Sequence, residues 1–184
     1  LTFEDNTLDN EIVSLKSKRL ISKVVDELDH NVSYFMEGNV IATELYEDSP
    51  IKINFFTPDS IVNNISKTLF VTPVSNTEFT LVEESSGYNK RHDLGEIIEL
   101  DKLRFSIIPT GSSSFLKEES FGTVQIDLIP IELVTSYYIN NLIIGPKGKA
   151  MDILSLGIIQ QESQKSEDFL NNLMFQFNAD GVSD

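Results

Sequence analysis

Val24-Val25-Asp26-Glu27-Leu28-Asp29-His30-Asn31-Val32-Ser33-Tyr34-Phe35-Met36, residues 24–36, contains the change of period that decides the fold. Upstream of it, Leu8, Ile12, Leu15, Leu20, Ile21, Val24, Val25 and Leu28 recur at intervals of three and four, with Lys16, Lys18, Arg19, Lys23, Asp26 and Glu27 between them. That spacing predicts amphipathic helix. Asn6 or Thr7 is the expected N-cap, with Asp9 and Glu11 in the first turn, and Ser17 interrupts the seam where a second helix is expected to begin at an angle to the first. Downstream of His30 the helical spacing stops.

From residue 31 to 130 the chain reads as short strands and turns. Stretches 32–36 and 40–46 flank Glu37-Gly38-Asn39 and predict a hairpin. Further strands are expected at 51–56, 69–74, 78–82, 97–100, 103–108 and 121–129. Their separators carry turn chemistry: Ser49-Pro50, Thr57-Pro58, Ser75-Asn76, Ser86-Gly87 and Pro109-Thr110-Gly111. Strands this short and this frequent, with no long helical pattern among them, predict a β-sandwich or barrel-like unit with its own core.

The last third returns to mixed structure. Residues 131–142 suit a helix, 142–144 and 150–159 read as strands around Gly145-Pro146-Lys147-Gly148-Lys149, and 163–177 form a final helix. In that helix Phe169, Leu170, Leu173, Met174 and Phe177 are expected on one heavily buried face, with Ser163 or Ser166 as cap. The fold class expected is therefore α+β: a mixed α/β base from residues 1–30 and 131–184, carrying an inserted β-rich module from 31–130.

Composition narrows the function classes. The 184 residues bury a real core without staples. Fourteen Lys and Arg against 29 Asp and Glu give a net charge of −15, which repels phosphate backbones and anionic headgroups, so nucleic acid and adsorption to a membrane surface are poor partners. With no Cys there is no disulfide, thiolate nucleophile or Cys-based zinc site. No stretch reaches the ~20 apolar residues of a membrane span. Leu1 in place of an initiator Met, and the polar end at 178–184, read as a segment excised from a longer protein.

The residues Leu8-Asp9-Asn10-Glu11-Ile12-Val13-Ser14-Leu15-Lys16-Ser17-Lys18-Arg19-Leu20-Ile21-Ser22-Lys23-Val24-Val25 resemble the helical segment that follows the first strand in Wzz chain-length determinants. The later order of helix, strand, Gly/Lys turn, strand and amphipathic helix, with Asp152-Ile153-Leu154-Ser155-Leu156 and Ser166-Glu167-Asp168-Phe169-Leu170-Asn171-Asn172-Leu173 in the last two places, is similar to that family's as well. The β-rich insertion resembles that of the larger Wzc-type members. Within it Asn31-Val32-Ser33-Tyr34-Phe35 and Thr43-Glu44-Leu45-Tyr46-Glu47-Asp48-Ser49-Pro50-Ile51-Lys52 resemble Bacteroidota tyrosine autokinases of capsular and exopolysaccharide biosynthesis. The resemblance implies a periplasmic domain anchored in the bacterial inner membrane by flanking spans outside this sequence. It also implies a homo-oligomeric scaffold that sets polysaccharide length and works with a polymerase and an outer-membrane exporter, with the glycan itself a further candidate contact. The family's kinase lies outside this sequence, so no enzyme activity, catalytic residue, metal or cofactor is expected here. The alternative is a carbohydrate-binding or adhesin-like extracytoplasmic module.

Individual motifs give little chemistry. Gly145-Pro146-Lys147-Gly148-Lys149-Ala150 lacks phosphate-loop spacing and is read as a hairpin turn. His30 and His92 fall in different expected units and are read as exposed or turn residues rather than ligands. Ser112-Ser113-Ser114 has no nucleophile elbow around it. Glu83-Glu84, Glu96, Glu99, Asp101 and Glu118-Glu119 are taken as solvated surface, although a carboxylate pair for glycoside hydrolysis stays open. Tyr34, Phe35, Tyr46, Phe55, Phe56 and Phe70 are either strand packing or an aromatic platform for sugar rings. Tyr137 and Tyr138 are read as helix packing.

Overall fold

A computed structural model describes residues 5–36, 42–110, 122–146, 153–160 and 162–181. The chain is α+β. In order, the elements are α1 (Asp5–Leu15), α2 (Lys18–Glu27), β1 (Val32–Met36), β2 (Thr43–Glu44), a 3-10 turn at Tyr46–Asp48, β3 (Ile51–Phe55) and α3 (Asp59–Val62). There follow β4 (Lys67–Pro73), β5 (Glu78–Glu83), β6 (Tyr88–Asp93), β7 (Ile98–Leu100), β8 (Leu103–Pro109) and β9 (Val124–Leu128). The chain closes with α4 (Ile131–Asn141), β10 (Leu142–Pro146), β11 (Leu154–Ile158) and α5 (Ser163–Gly181). Two compact units result: Leu1–His30 with Ile131–Asp184, and Asn31–Pro130.

In the first unit the helix break falls at Ser17. Its extended backbone and its hydroxyl, which accepts from Leu20 N at 3.4 Å, start α2 afresh. Asn6 and Thr7 lie inside α1. α2 buries Leu20, Ile21, Val24 and Val25 completely or nearly so, each contributing roughly 1.5–3 kcal/mol of transfer free energy. It ends in a Schellman motif. Asp29 takes a left-handed φ of 51°, its N–H donates to Asp26 O at 3.2 Å, and His30 N–H reaches back to Val25 O at 3.0 Å. His30 thus lies in a turn, one of the two readings given for it, and is buried there.

The helix α5 differs in detail from expectation. Its buried seam is Lys165, Phe169, Leu173 and Gln176, while Met174 and Phe175 are exposed. Gln176 donates to Glu27 of α2, which satisfies a polar group the seam encloses. The helix start is capped by Glu162, whose carboxylate accepts from Lys165 N, not by Ser163 or Ser166. β10 and β11 pair antiparallel from Leu142↔Ile158 to Pro146↔Leu154. The Lys147, Gly148 and Lys149 of the expected turn lie outside the described residues.

The second unit contains two open antiparallel sheets, ordered β2-β1-β9-β4-β5-β6 and β3-β8-β7. Alternation builds the core they share. Leu69 and Val71 of β4, Phe79 and Leu81 of β5, and Val124, Ile126 and Leu128 of β9 bury against Ile51, Ile53, Phe105 and Ile107 of the smaller sheet. Tyr34 belongs to this core, and its hydroxyl accepts from Ile53 N at 3.1 Å. Among the described residues no closed barrel forms. The six-stranded sheet ends instead in the two-residue β2 and the largely polar β6, strands that do not pair with each other.

The expected hairpin is present as β1 and β2, paired at Phe35↔Glu44 and Met36↔Thr43, but its second strand is cut short. Tyr46, at φ 41°, turns the chain into the 3-10 turn directly afterwards. The Glu37-Gly38-Asn39 turn lies outside the described residues. Sequence reading omitted two elements, α3 and β6. The latter forms a six-pair ladder with β5 from Glu78↔Asp93 to Glu83↔Tyr88.

Candidate functional site

The register of the larger sheet defines its outer face. Because Val124, Ile126 and Leu128 point into the core, Gln125 and Asp127 point away from it, as do Thr68 and Phe70 of β4 and Phe35 of β1. Phe35, Gln125, Phe70 and Val82 are successive cross-strand partners and form one row across four strands. All four are half-buried. Of the aromatic residues flagged in the sequence, Phe35 and Phe70 are thus on one face, Tyr34 and Phe55 belong to or pack on the core, and Phe56 is exposed.

An open groove of about 610 Å³ lies at one end of this face, lined by Lys67, Thr68, Phe70, Glu83, Glu84 and Asp127 among others. Asp127 is held from two sides. Thr68 Oγ1 donates to its Oδ1 at 2.7 Å, and Gln125 Nε2 lies 3.1 and 3.0 Å from Oδ1 and Oδ2. The carboxylate is therefore fixed without a cation.

Glu83 also lines the groove, and it is buried, contrary to its reading as solvated surface. Strand alternation carries it inward after Phe79 and Leu81. Its carboxylate accepts from the Ser85 hydroxyl, from Ser85 N at 3.1 Å and from Ser86 N at 3.1 Å, with Lys67 Nζ 3.4 Å away. These donors, the serines first, hold its pKa down to about 2. Such a group is a structural clamp on the Glu84-to-Gly87 turn, where Gly87 takes φ 71°, and a poor general acid. Lys67 is shared between Glu83 and Asp101, the latter at 2.8 Å, and these partners raise its pKa, the Asp101 hydrogen bond most.

His30 lies in a turn but is buried, and His92 is half-buried on a strand. His30, on the first unit, lies among aromatic rings: its Nδ1 is 2.7 Å from the Tyr138 hydroxyl, and Tyr138 stacks on Phe169 with centroids 3.9 Å apart. Burial first, and the nearby Lys165 second, lower its pKa to about 3. His92 lies on strand β6, with Nε2 2.8 Å from the Tyr88 hydroxyl. Its Nδ1 is 3.0 Å from Glu96 Oε1, an ion-pair distance without the alignment of a hydrogen bond. Among the described residues no group of His, Asp and Glu is arranged to hold a metal ion.

Tyr138 packs as expected, whereas Tyr137 is exposed. Ser112-Ser113-Ser114 and Glu118-Glu119 lie outside the described residues. Sequence reading missed Lys67, Thr68, Gln125 and Asp127. The alternation Val124-Gln125-Ile126-Asp127-Leu128 was the available signal, since it marks both polar residues as facing away from the core.

The chain matches no family model, and a search of curated proteins finds no match. Chemically, the groove offers a half-buried aromatic ring on the same face as a carboxylate held by Thr68 and Gln125.

Proposed function

We propose that this chain is the extracytoplasmic part of a membrane-anchored polysaccharide co-polymerase, a non-enzymatic scaffold that regulates the length and export of capsular polysaccharide or exopolysaccharide. The observation that carries this reading is that the two ends of the sequence fold into one unit, Leu1–His30 with Ile131–Asp184, while Asn31–Pro130 forms a unit of its own. That organisation accords with the resemblance to Wzz- and Wzc-type proteins, in which a base is anchored by membrane spans at both ends. Among the described residues no helix is long and apolar enough to cross a membrane, so the anchors of this reading lie outside them.

The mechanism is geometric. Copies assembled in the periplasm present many equivalent contacts to the polymerase, the outer-membrane exporter and the growing glycan, and effective concentration replaces catalysis. The experiment is to express the full-length parent with residues 31–130 deleted and to measure the size distribution of the surface polysaccharide. A shift of that distribution is expected. An unchanged distribution with the truncated protein stably present in the membrane counts against the reading.

A second reading, a carbohydrate-binding module, is favoured by one observation: Phe35 and Phe70 share the outer sheet face with Gln125 and Asp127.

A further inference from the structure

We propose that the groove at one end of the outer face of the six-stranded sheet binds an uncharged, hydroxyl-rich saccharide laid across β4 and β9, with a longer oligosaccharide running past the groove onto Phe35 of β1. The inference rests on the reading above for its biological setting, but its argument is local.

Charge selects the ligand class. Lys67, the cation of the lining, is engaged by Glu83 and Asp101, so the groove presents Asp127 and Glu84 without a free positive partner for an incoming anion. The chain as a whole carries −15. Uronate or phosphate groups are repelled on both counts.

Hydrogen-bonding capacity then favours hydroxyl donors. An ionised carboxylate has about four acceptor positions. Thr68 and Gln125 occupy two on Asp127 Oδ1 and one on Oδ2, leaving one on Oδ2 for a donor from outside. Since the protein's own donors hold the carboxylate in place, a ligand hydroxyl meets it with little ordering cost. Glu84, in the same lining, is exposed and adds a second acceptor.

Phe70 supplies the apolar part. Its half-buried ring lies two register positions from Asp127 across the β4–β9 ladder, on the same face, where Thr68 faces Asp127 and Phe70 faces Gln125. A pyranose has the matching chemistry, with an apolar C–H face to lie on the ring and equatorial hydroxyls at its edge for the carboxylate. Phe35, two strand spacings from Phe70 and so about 10 Å away, gives a second ring on the same row. A single sugar spans only the Phe70 position, whereas an oligosaccharide reaches both.

The test is amide chemical-shift mapping of the whole chain. The probes are methyl glucoside, methyl galactoside, methyl mannoside and N-acetylglucosamine, followed by neutral oligosaccharides of the sugar that binds, with glucuronate and glucosamine as charged controls. Neutral sugars are expected to shift amides of residues 66–70, 83–85 and 125–129. Phe70→Ala and Asp127→Asn, folded by circular dichroism, are each expected to weaken that binding about tenfold, equivalent to ~1.4 kcal/mol. Phe35→Ala is expected to weaken oligosaccharide binding and leave monosaccharide binding unchanged. The proposal is overturned if no neutral sugar shifts those amides, if glucuronate or glucosamine binds there more tightly, or if the folded Phe70 and Asp127 variants bind as the parent does. Groove binding together with an unaltered polysaccharide length in cells would overturn the co-polymerase reading alone. Altered length without groove binding would overturn the groove alone.

Discussion

Acidification should destabilise the first unit through His30. The folded ring, enclosed by Tyr138 and Phe169, takes a proton only near pH 3, whereas the unfolded chain does so near 6.5. Between those values the unfolded state holds about one proton more, so stability rises with pH across the window and is lost as pH falls from 6.5 toward 3. At pH 5 the drop is 1.5 units below the unfolded value, a loss of about 2 kcal/mol. Glu83 adds little there, because its own contribution is lost only between 4.5 and about 2. The assay is urea denaturation between pH 5 and 7, followed by helical circular dichroism, which reports the first unit because α1, α2, α4 and α5 all belong to it. His30→Gln keeps a hydrogen-bonding partner for the Tyr138 hydroxyl and removes the titration. Its starting stability should be lower by about 1–2 kcal/mol, and its slope against pH should be shallower by roughly one proton. A parent protein whose stability is flat from pH 7 to 5, or a variant with the parent's slope, would refute the assignment of a neutral, buried His30.

Two further outcomes follow from single side chains. Glu83→Gln removes the charge that holds the Ser85 and Ser86 amides and pairs with Lys67, and should cost about 2 kcal/mol near neutral pH in denaturant titrations of the β unit. The same variant should lose the stability change that the parent shows as pH falls from 4.5 through about 2, and a parent-like acid limb would contradict the clamp. Ser17→Ala should lower the thermal stability of the helical unit by about 1 kcal/mol through loss of the α2 cap, with no change in the β signal; an equal effect on both would be inconsistent with a local cap.

The residues that made the fold legible are those whose pattern admits one reading. Val124 to Leu128 alternates strictly, and Leu20, Ile21, Val24 and Val25 leave one face to bury, so β9 and α2 were expected where they occur. The strand β6 was illegible because Asn89, Lys90 and Arg91 are polar on both faces, as an edge strand tolerates. In α5 apolar residues occupy several faces, Phe169, Leu170, Leu173, Met174, Phe175 and Phe177, so period alone could not choose the seam, and the true one includes Lys165 and Gln176. The candidate site was half legible: Phe70, Glu83 and Glu84 were named, whereas Lys67, Thr68, Gln125 and Asp127 were not. Glu83 shows why. Alternation after Phe79 and Leu81 directs it inward, but a carboxylate is assigned to the surface unless the turn that satisfies it is known.

The account depends most on the two ends of the chain forming one cooperative body without the β module. Residues 1–30 joined to 131–184 by a short flexible Gly/Ser linker should give helical circular dichroism and a single thermal transition, because the buried seam of Ile21, Val24, Tyr138, Phe169 and Leu173 is complete within that unit. A chain that is unstructured, or that loses helix gradually with temperature, would contradict it.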